Sequence, residues 1–242
     1  MKILSLLFCF LSMSFLNGAY MNQIEGSGII KTETRNLPPF QELRIVGKAL
    51  VFLQQGDESE ISIEGDDNIV PLITTDIENK MLSISPLNNY SIDPKVPLIY
   101  KITTPQIDFI QLTGSSDLKS DGELHSEFFR VNITGSATCD LTLYTTDLHV
   151  EISGSGKLTA NGSTQKENII ISGSGQFLGN HMKSSESHIR IAGSAIAKVN
   201  ALDILNIVIT GNGIIYYSGD PKVYKKITGN GSLIKEVEDH KS

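Results

Sequence analysis

Residues 150–158 read VEISGSGKL, and residues 169–177, nineteen positions further on, read IIISGSGQF. The same phrase recurs seven times: LTGSS at 112–116, ITGSA at 133–137, ISGSG at 152–156 and 171–175, IAGSA at 191–195, and ITGNG at 209–213 and 227–231. Its first glycines are Gly114, Gly135, Gly154, Gly173, Gly193, Gly211 and Gly229, spaced by 18 to 21 residues. A fixed period of that length, too short for a helix pair, is the mark of a solenoid.

Aligned on the glycine, every copy carries an aliphatic residue two positions earlier: Leu112, Ile133, Ile152, Ile171, Ile191, Ile209 and Ile227. Four positions earlier stand Ile110, Val131, Val150, Ile169, Ile189, Ile207 and then Lys225. Alternation with a period of two, rich in β-branched residues, describes a strand with one buried face. Four positions after the glycine a third inward column follows: Leu118, Cys139, Leu158, Phe177, Ala197, Ile215 and Leu233. The glycine is then a corner between two strands, where positive φ and close stacking exclude a Cβ.

The expected fold is therefore all-β, a parallel β-helix (β-solenoid) of 18–21-residue coils stacked at about 4.8 Å. Right-handed crossover is the general expectation for parallel strands, although small three-sided coils also occur left-handed. Residues 112–235 hold the regular repeats. Residues 24–111 are less periodic, with alternating runs at 50–53, 61–63, 81–84 and 98–102 bounded by turn-rich stretches such as Gln55-Gly56-Asp57-Glu58 and Glu78-Asn79-Lys80, as in strands joined by hairpins. Val46 to Val51 reads as a degenerate corner, and Gly26-Ser27-Gly28 as another. These strands are expected to extend and cap the solenoid, because a bare end exposes hydrogen-bonding groups.

Residues 1–19 read as a signal peptide: Lys2, an apolar run from Ile3 to Leu16, then small residues at Asn17-Gly18-Ala19. Export follows as an expectation, to the periplasm, the outer-membrane surface or the medium, with one domain over 20–235 and a charged tail at 236–242. No later run of eighteen apolar residues offers a transmembrane segment. Of the two cysteines only Cys139 would remain, which rules out an internal disulfide. A net charge of -7 argues against nucleic acid as a partner.

In order and spacing, Gly26-Ser27-Gly28, Arg35-Asn36, Phe40, Ile45-Val46-Gly47, Val51, Gln55-Gly56, Ile61-Ser62-Ile63-Glu64, Asn68 and 78–84, followed by the Gly-Ser/Asn corners, resemble the bacterial autotransporter-adhesin head domain family of GIN type. The resemblance covers nearly all of residues 20–242 and departs from the glycine-rich pattern at Ala137 and Ala195. It implies an exported β-solenoid acting in adhesion or cell-surface interaction, and it transfers no catalytic or binding residues.

The residues themselves supply little catalytic chemistry. Ser153 to Lys157 lacks the first glycine of a phosphate loop and the Ser/Thr after its lysine, and calcium-binding GGxGxD repeats are absent. His125, His149, His181, His188 and His240 share no repeat phase or metal-type spacing on this reading, and Cys139 is a small buried hydrophobe. Asp117, Asp140 and Asp147 fall at different phases, short of the clustered acids of β-helix polysaccharide enzymes. No catalytic residue, cofactor site or metal site is expected. The sequons at Asn89, Asn132, Asn161 and Asn230 follow from a Ser/Thr-rich composition.

One polar column remains. Ser115, Ser136, Ser155, Ser174, Ser194, Asn212 and Asn230 follow the glycines directly and form a ladder along one edge. Such a ladder serves first as cement between stacked corners and second as a polar strip for a glycan or surface ligand. The expected function is a non-enzymatic interaction module with a glycan, matrix or envelope protein as partner, and self-association within its reach. The alternatives are a polysaccharide-processing enzyme and a periplasmic scaffold or envelope-stress protein.

Overall fold

The computed structural model describes residues 22–87 and 90–236. The expected signal segment, Asn89, His240 and the tail beyond Glu236 lie outside these residues. What is described is a β-solenoid of about 7 turns. Two walls meet at a glycine corner. The wall before the corner stacks Ile73–Glu78, Met81–Pro86, Glu42–Gly47 and Phe109–Gly114, then the second halves of the long strands Asp117–Gly135, Thr138–Gly154, Lys157–Gly173, Gln176–Gly193 and Ile196–Gly211, and finally Lys222–Thr228. The wall after the corner stacks Ile30–Asn36, Glu60–Asp66, Ile99–Thr104 and Leu50–Gln55, then the first halves of the same long strands, then Ile214–Ser218 and Ser232–Lys235. A small parallel pair, Asn22–Glu25 with Tyr90–Asp93, lies beside them.

Register is set by the repeat. Gly47, Gly114, Gly135, Gly154, Gly173, Gly193 and Gly211 pair in sequence along the stack. They and Gly229 have φ between 105° and 125°. Each corner rests on the one beneath: a Cβ on Gly154 would stand 2.7 Å from the Gly135 carbonyl oxygen, and one on Gly114 2.6 Å from that of Gly47. Gly47 thus opens the series, and the degenerate corner read at Val46 to Val51 is a genuine coil.

All three expected inward columns are buried up to the last coil, where Ile227 and Leu233 are half-buried and Lys225 is exposed. Two further columns complete the core. Six positions before the glycine stand Phe129, Leu148, Glu167, Ser187 and Leu205; six positions after it stand Leu53, Ser120, Leu141, Ala160, Gly179 and Val199. Their mixed polarity and size hide them in the sequence. Gly179 is there because the Phe177 ring fills its place, 2.5 Å from where a Cβ would sit. Each fully buried aliphatic side chain contributes about 1.5–3 kcal/mol, realised only when a neighbouring coil covers it.

The N-terminal strands extend and cap the solenoid, but not by hairpins throughout. The 78–81 turn does join an antiparallel pair, with Asn79 and Lys80 both at positive φ. The turn at Gln55 to Glu58 does not: Ile99–Thr104 inserts between the strands it connects, parallel to Leu50–Gln55 and antiparallel to Glu60–Asp66. Gly26-Ser27-Gly28 is not a corner either. It wraps Asp66, whose Oδ1 accepts from the Gly28 amide at 2.6 Å. The core end is plugged by Ile69, Val70 and Ile73. Arg35 fastens the plug by donating to the carbonyls of Ile73 at 2.7 Å and Val70 at 3.4 Å, which ties the edge strands of both walls together.

The corner geometry separates adjacent positions. Gly154→Ala is expected to lose roughly 2–3 kcal/mol, from positive φ and the contact with Gly135, whereas Ser155→Ala, one residue on and exposed, should stay within about 0.5 kcal/mol. Urea unfolding of the two variants checks the contrast.

Candidate functional site

The cement of the corner is the backbone. The amides of Ser115, Ser136, Ser155, Ser174, Ser194 and Asn212 donate to the carbonyl of the glycine one coil below at 2.8 to 3.0 Å. Their side chains, and that of Asn230, are exposed, and no hydrogen bond joins them to one another. On the other flank of the glycines runs a second row, Thr113, Thr134, Ser153, Ser172, Ala192, Thr210 and Thr228, exposed except for the half-buried Thr113. The corner is therefore a ridge of two polar rows, hydroxyl-rich, with steps of about 4.8 Å along it. The second row was legible in the repeated phrase itself.

The hydrogen-bonded hydroxyl ladder lies elsewhere, at the far bend of the coil. Ser126, Thr145 and Thr164, each nine residues before its corner glycine, reach the carbonyl two residues on at 2.8, 3.2 and 3.0 Å. Thr145 and Thr164 also reach the carbonyls of Glu127 and Thr146 beneath, at 3.1 and 3.0 Å. Ser and Thr suit this bend because a short hydroxyl can replace the backbone partner that the turn removes.

Above Thr164 the ladder turns inward. Ser184 and Ser187 are fully buried, 2.6 Å apart, and both face Glu167, with Ser187 donating to Oε1 at 2.6 Å and Ser184 at 3.2 Å. Glu167 Oε2 has no partner. Burial pushes this carboxyl up to about 7, against the opposing hydrogen bonds from Ser187 and Ser184. The group is sealed in the core, out of reach of any substrate. Asp66 is the converse case. Burial by itself would raise its pKa, but amides of Val96, Gly28 and Lys95 outweigh it and hold the carboxyl below the usual range.

The remaining candidates fall into place as architecture. Cys139 is buried in its column, and burial pushes its thiol far up, so no thiolate nucleophile stands there. The Lys157 amide pairs with the Ala137 carbonyl at 2.9 Å in an ordinary corner. Asp117, Asp140 and Asp147 do not converge. The histidines need one correction: His149 and His188 do share a phase, five residues before their glycines. Both stand on one outward column with Asn168 between them and Asn206 above, and the asparagine amides meet His149 Nδ1 at 3.1 Å and His188 Nδ1 at 3.3 Å. Asn168 on the intervening coil, and the change of step from 19 to 20 residues, hide the pairing in the sequence. Among the described residues no group of three or more His, Cys, Asp or Glu is placed to hold a metal ion.

Two of the depressions on the described surface bear on its outward faces. One of about 550 Å³ lies at the first corner, between Val46 to Leu50 and the loop from Ile92 to Leu98. The other, about 300 Å³, lies on the wall before the corner, around Phe128, Asp147 and Lys166.

Residues 39–221 match the family described as "Putative auto-transporter adhesin, head GIN domain". The chain belongs to this family. No curated protein matches it. Solved structures share the fold of this head GIN domain: a putative adhesin of Bacteroides fragilis, 21% identical with a TM-score of 0.80, covers 88% of this chain and 100% of its own. A putative adhesin of Parabacteroides merdae is 20% identical at a TM-score of 0.73, and a putative lipid binding protein of Parabacteroides distasonis 24% at 0.75; each covers 89% of this chain and 100% of its own. Among the described residues no helix is long and apolar enough to cross a membrane.

In this head GIN domain the buried Glu167 sets a pH dependence whose sign follows from its raised pKa. The folded state binds the proton more tightly than the unfolded chain, so the contribution is fully present below about pH 4.5 and is lost as pH rises through about 7. The loss amounts to roughly 3 kcal/mol. Glu167→Gln is expected to flatten unfolding free energy across that window, measured by denaturant melts at pH 4, 6 and 8.

Proposed function

We propose that the protein is an exported, non-enzymatic recognition module that holds an extended glycan or matrix polymer at the cell envelope through its corner ridge. The observation that carries this reading is the division of labour at the corner: backbone amides and carbonyls bind coil to coil, while the Ser/Asn side chains beside them stay exposed and without protein partners. A ladder needed only as cement would spend those groups on its neighbours. A row of free donors and acceptors at a constant step suits a polymer whose own units repeat, because many weak contacts add along it. Membership of an adhesin-like family supports the same reading. So does the absence of convergence among Asp117, Asp140 and Asp147, since hydrolysis of a glycosidic bond needs two carboxyl groups facing one another across the substrate.

The test is solid-phase binding to a panel of polysaccharides and matrix proteins, with the triple variant Ser155→Ala, Ser174→Ala, Ser194→Ala alongside. Each lost hydrogen bond is worth about 0.5–1.5 kcal/mol. The triple variant is expected to bind at least about tenfold more weakly at an unchanged Tm. Binding as strong as that of the parent, or no binding to any polymer, counts against the proposal. Proteolysis of intact cells checks exposure at the surface.

A further inference from the structure

Phe128 breaks the rule of its own column. The positions that stack on it carry Asp147, Lys166 and Glu186, and a phenyl ring 59% exposed on a regular outward strand has no part in the solenoid's cohesion. Its chain neighbour Phe129 faces inward and is buried. The ring borders the depression of about 300 Å³, whose floor and rim include Arg130, Asp147, His149, Lys166 and Asn168. These side chains are held differently. Arg130 is engaged elsewhere, donating to Glu42 Oε1 at 3.3 Å and lying over the Phe109 ring. His149 is fixed at both ring nitrogens, by the Asn168 amide at 3.1 Å and by Glu151 Oε1 at 3.0 Å. Asp147 and Lys166 enter no ion pair among the described residues, although they are stacked in register. The site thus joins an exposed aromatic face, a free carboxylate, a free ammonium and a fixed imidazole–amide pair; its unpaired charges, Asp147 and Lys166, balance, and that of Arg130 is met by Glu42.

We infer that this depression is a subsite for one neutral pyranose ring of a glycan, with the C–H face of the sugar on Phe128 and its hydroxyls on Asp147 and Lys166. An apolar face beside donors and acceptors in an uncharged balance is the complement of a neutral sugar. A uronate or sulfate could pair with Lys166 only by bringing a like charge against Asp147, stacked directly beneath it, and a purely apolar ligand would leave both charges desolvated and unpaired. The inference rests on the reading of the protein as a glycan-binding module and assigns it a ligand class and a place. Phe128 lies six residues along the strand from the hydroxyl row of the ridge, roughly 20 Å away, so substitutions at the two surfaces act independently.

The experiment is calorimetric titration of the whole protein with neutral gluco-, manno-, galacto- and xylo-oligosaccharides and with uronate and sulfated ones. It uses the parent, Phe128→Ala, Phe128→Tyr and the ridge triple variant. At least one neutral oligosaccharide is expected to bind the parent, about tenfold more weakly to Phe128→Ala and within about threefold to Phe128→Tyr, as loss and retention of an aromatic face require. All variants should melt together, since the side chain is external. Equal affinity in Phe128→Ala, binding of anionic oligosaccharides alone, or no binding of any neutral oligosaccharide overturns the subsite. Polymer binding that depends on the ridge while Phe128→Ala is silent leaves the general reading intact, whereas a chain that binds no polymer removes both.

Discussion

The whole molecule depends on one contact: the amide after each corner glycine donating to the carbonyl of the glycine one coil below. It needs the glycine twice over. Positive φ turns the chain, and the missing Cβ lets the next corner settle at hydrogen-bond distance, where a methyl on Gly173 would stand 2.7 Å from the Gly154 oxygen. Once that distance is fixed, both walls inherit their register. A slip of one residue would send Ile152 and Ile171 outward and bring their polar neighbours in. The corner contact is therefore what makes the aliphatic columns columns.

A core built by stacking tolerates polar residues only where a neighbouring coil can answer them. Glu167 occupies a place held by Leu148 below, and it is answered by Ser187, which breaks the same column one coil above, and by Ser184 of the hydroxyl ladder beside it. The answer is incomplete, since Oε2 has no partner, and that is why burial dominates this carboxyl. Asp66, by contrast, sits where a loop can bend around it, and several amides reach its oxygens at 2.6 to 3.1 Å. Two inaccessible carboxyls thus shift in opposite directions because one faces side chains of the interior and the other loop backbone whose amides surround it at the capped end.

This contrast also explains what could be read in advance. The corner, the three inward columns and the extension of the solenoid towards the N-terminus were legible because each is enforced in every coil and so repeats. The columns through Glu167 and Gly179 were not, since a carboxylate paired with serines one coil later, or a glycine covered by Phe177, carries no aliphatic signal. The hairpin expected at Gln55 to Glu58 failed for a different reason. A local turn signal says where the chain bends and nothing of which strand will fill the gap, here Ile99–Thr104, some forty residues on. The Gly26-Ser27-Gly28 phrase looked like a corner because glycines serve any close backbone approach, including that to Asp66.

Where cohesion is handled by the backbone, outward side chains are free to vary, and a departure from the pattern there calls for a cause outside the fold. Most outward positions need none: an Arg130 guanidinium lying 4.6 Å over the Phe109 ring, or His125 stacked on Tyr144 at 5.3 Å, is satisfied by its neighbour within the sheet. Phe128 has no such neighbour on its exposed face, and the free ridge hydroxyls have none either. Cohesion would be unchanged if Phe128 were the Asp or Lys found in its column. An aromatic ring left in water gives the fold no return, and on that, joined to the unpaired Asp147 and Lys166 stacked above it, the proposed sugar subsite rests.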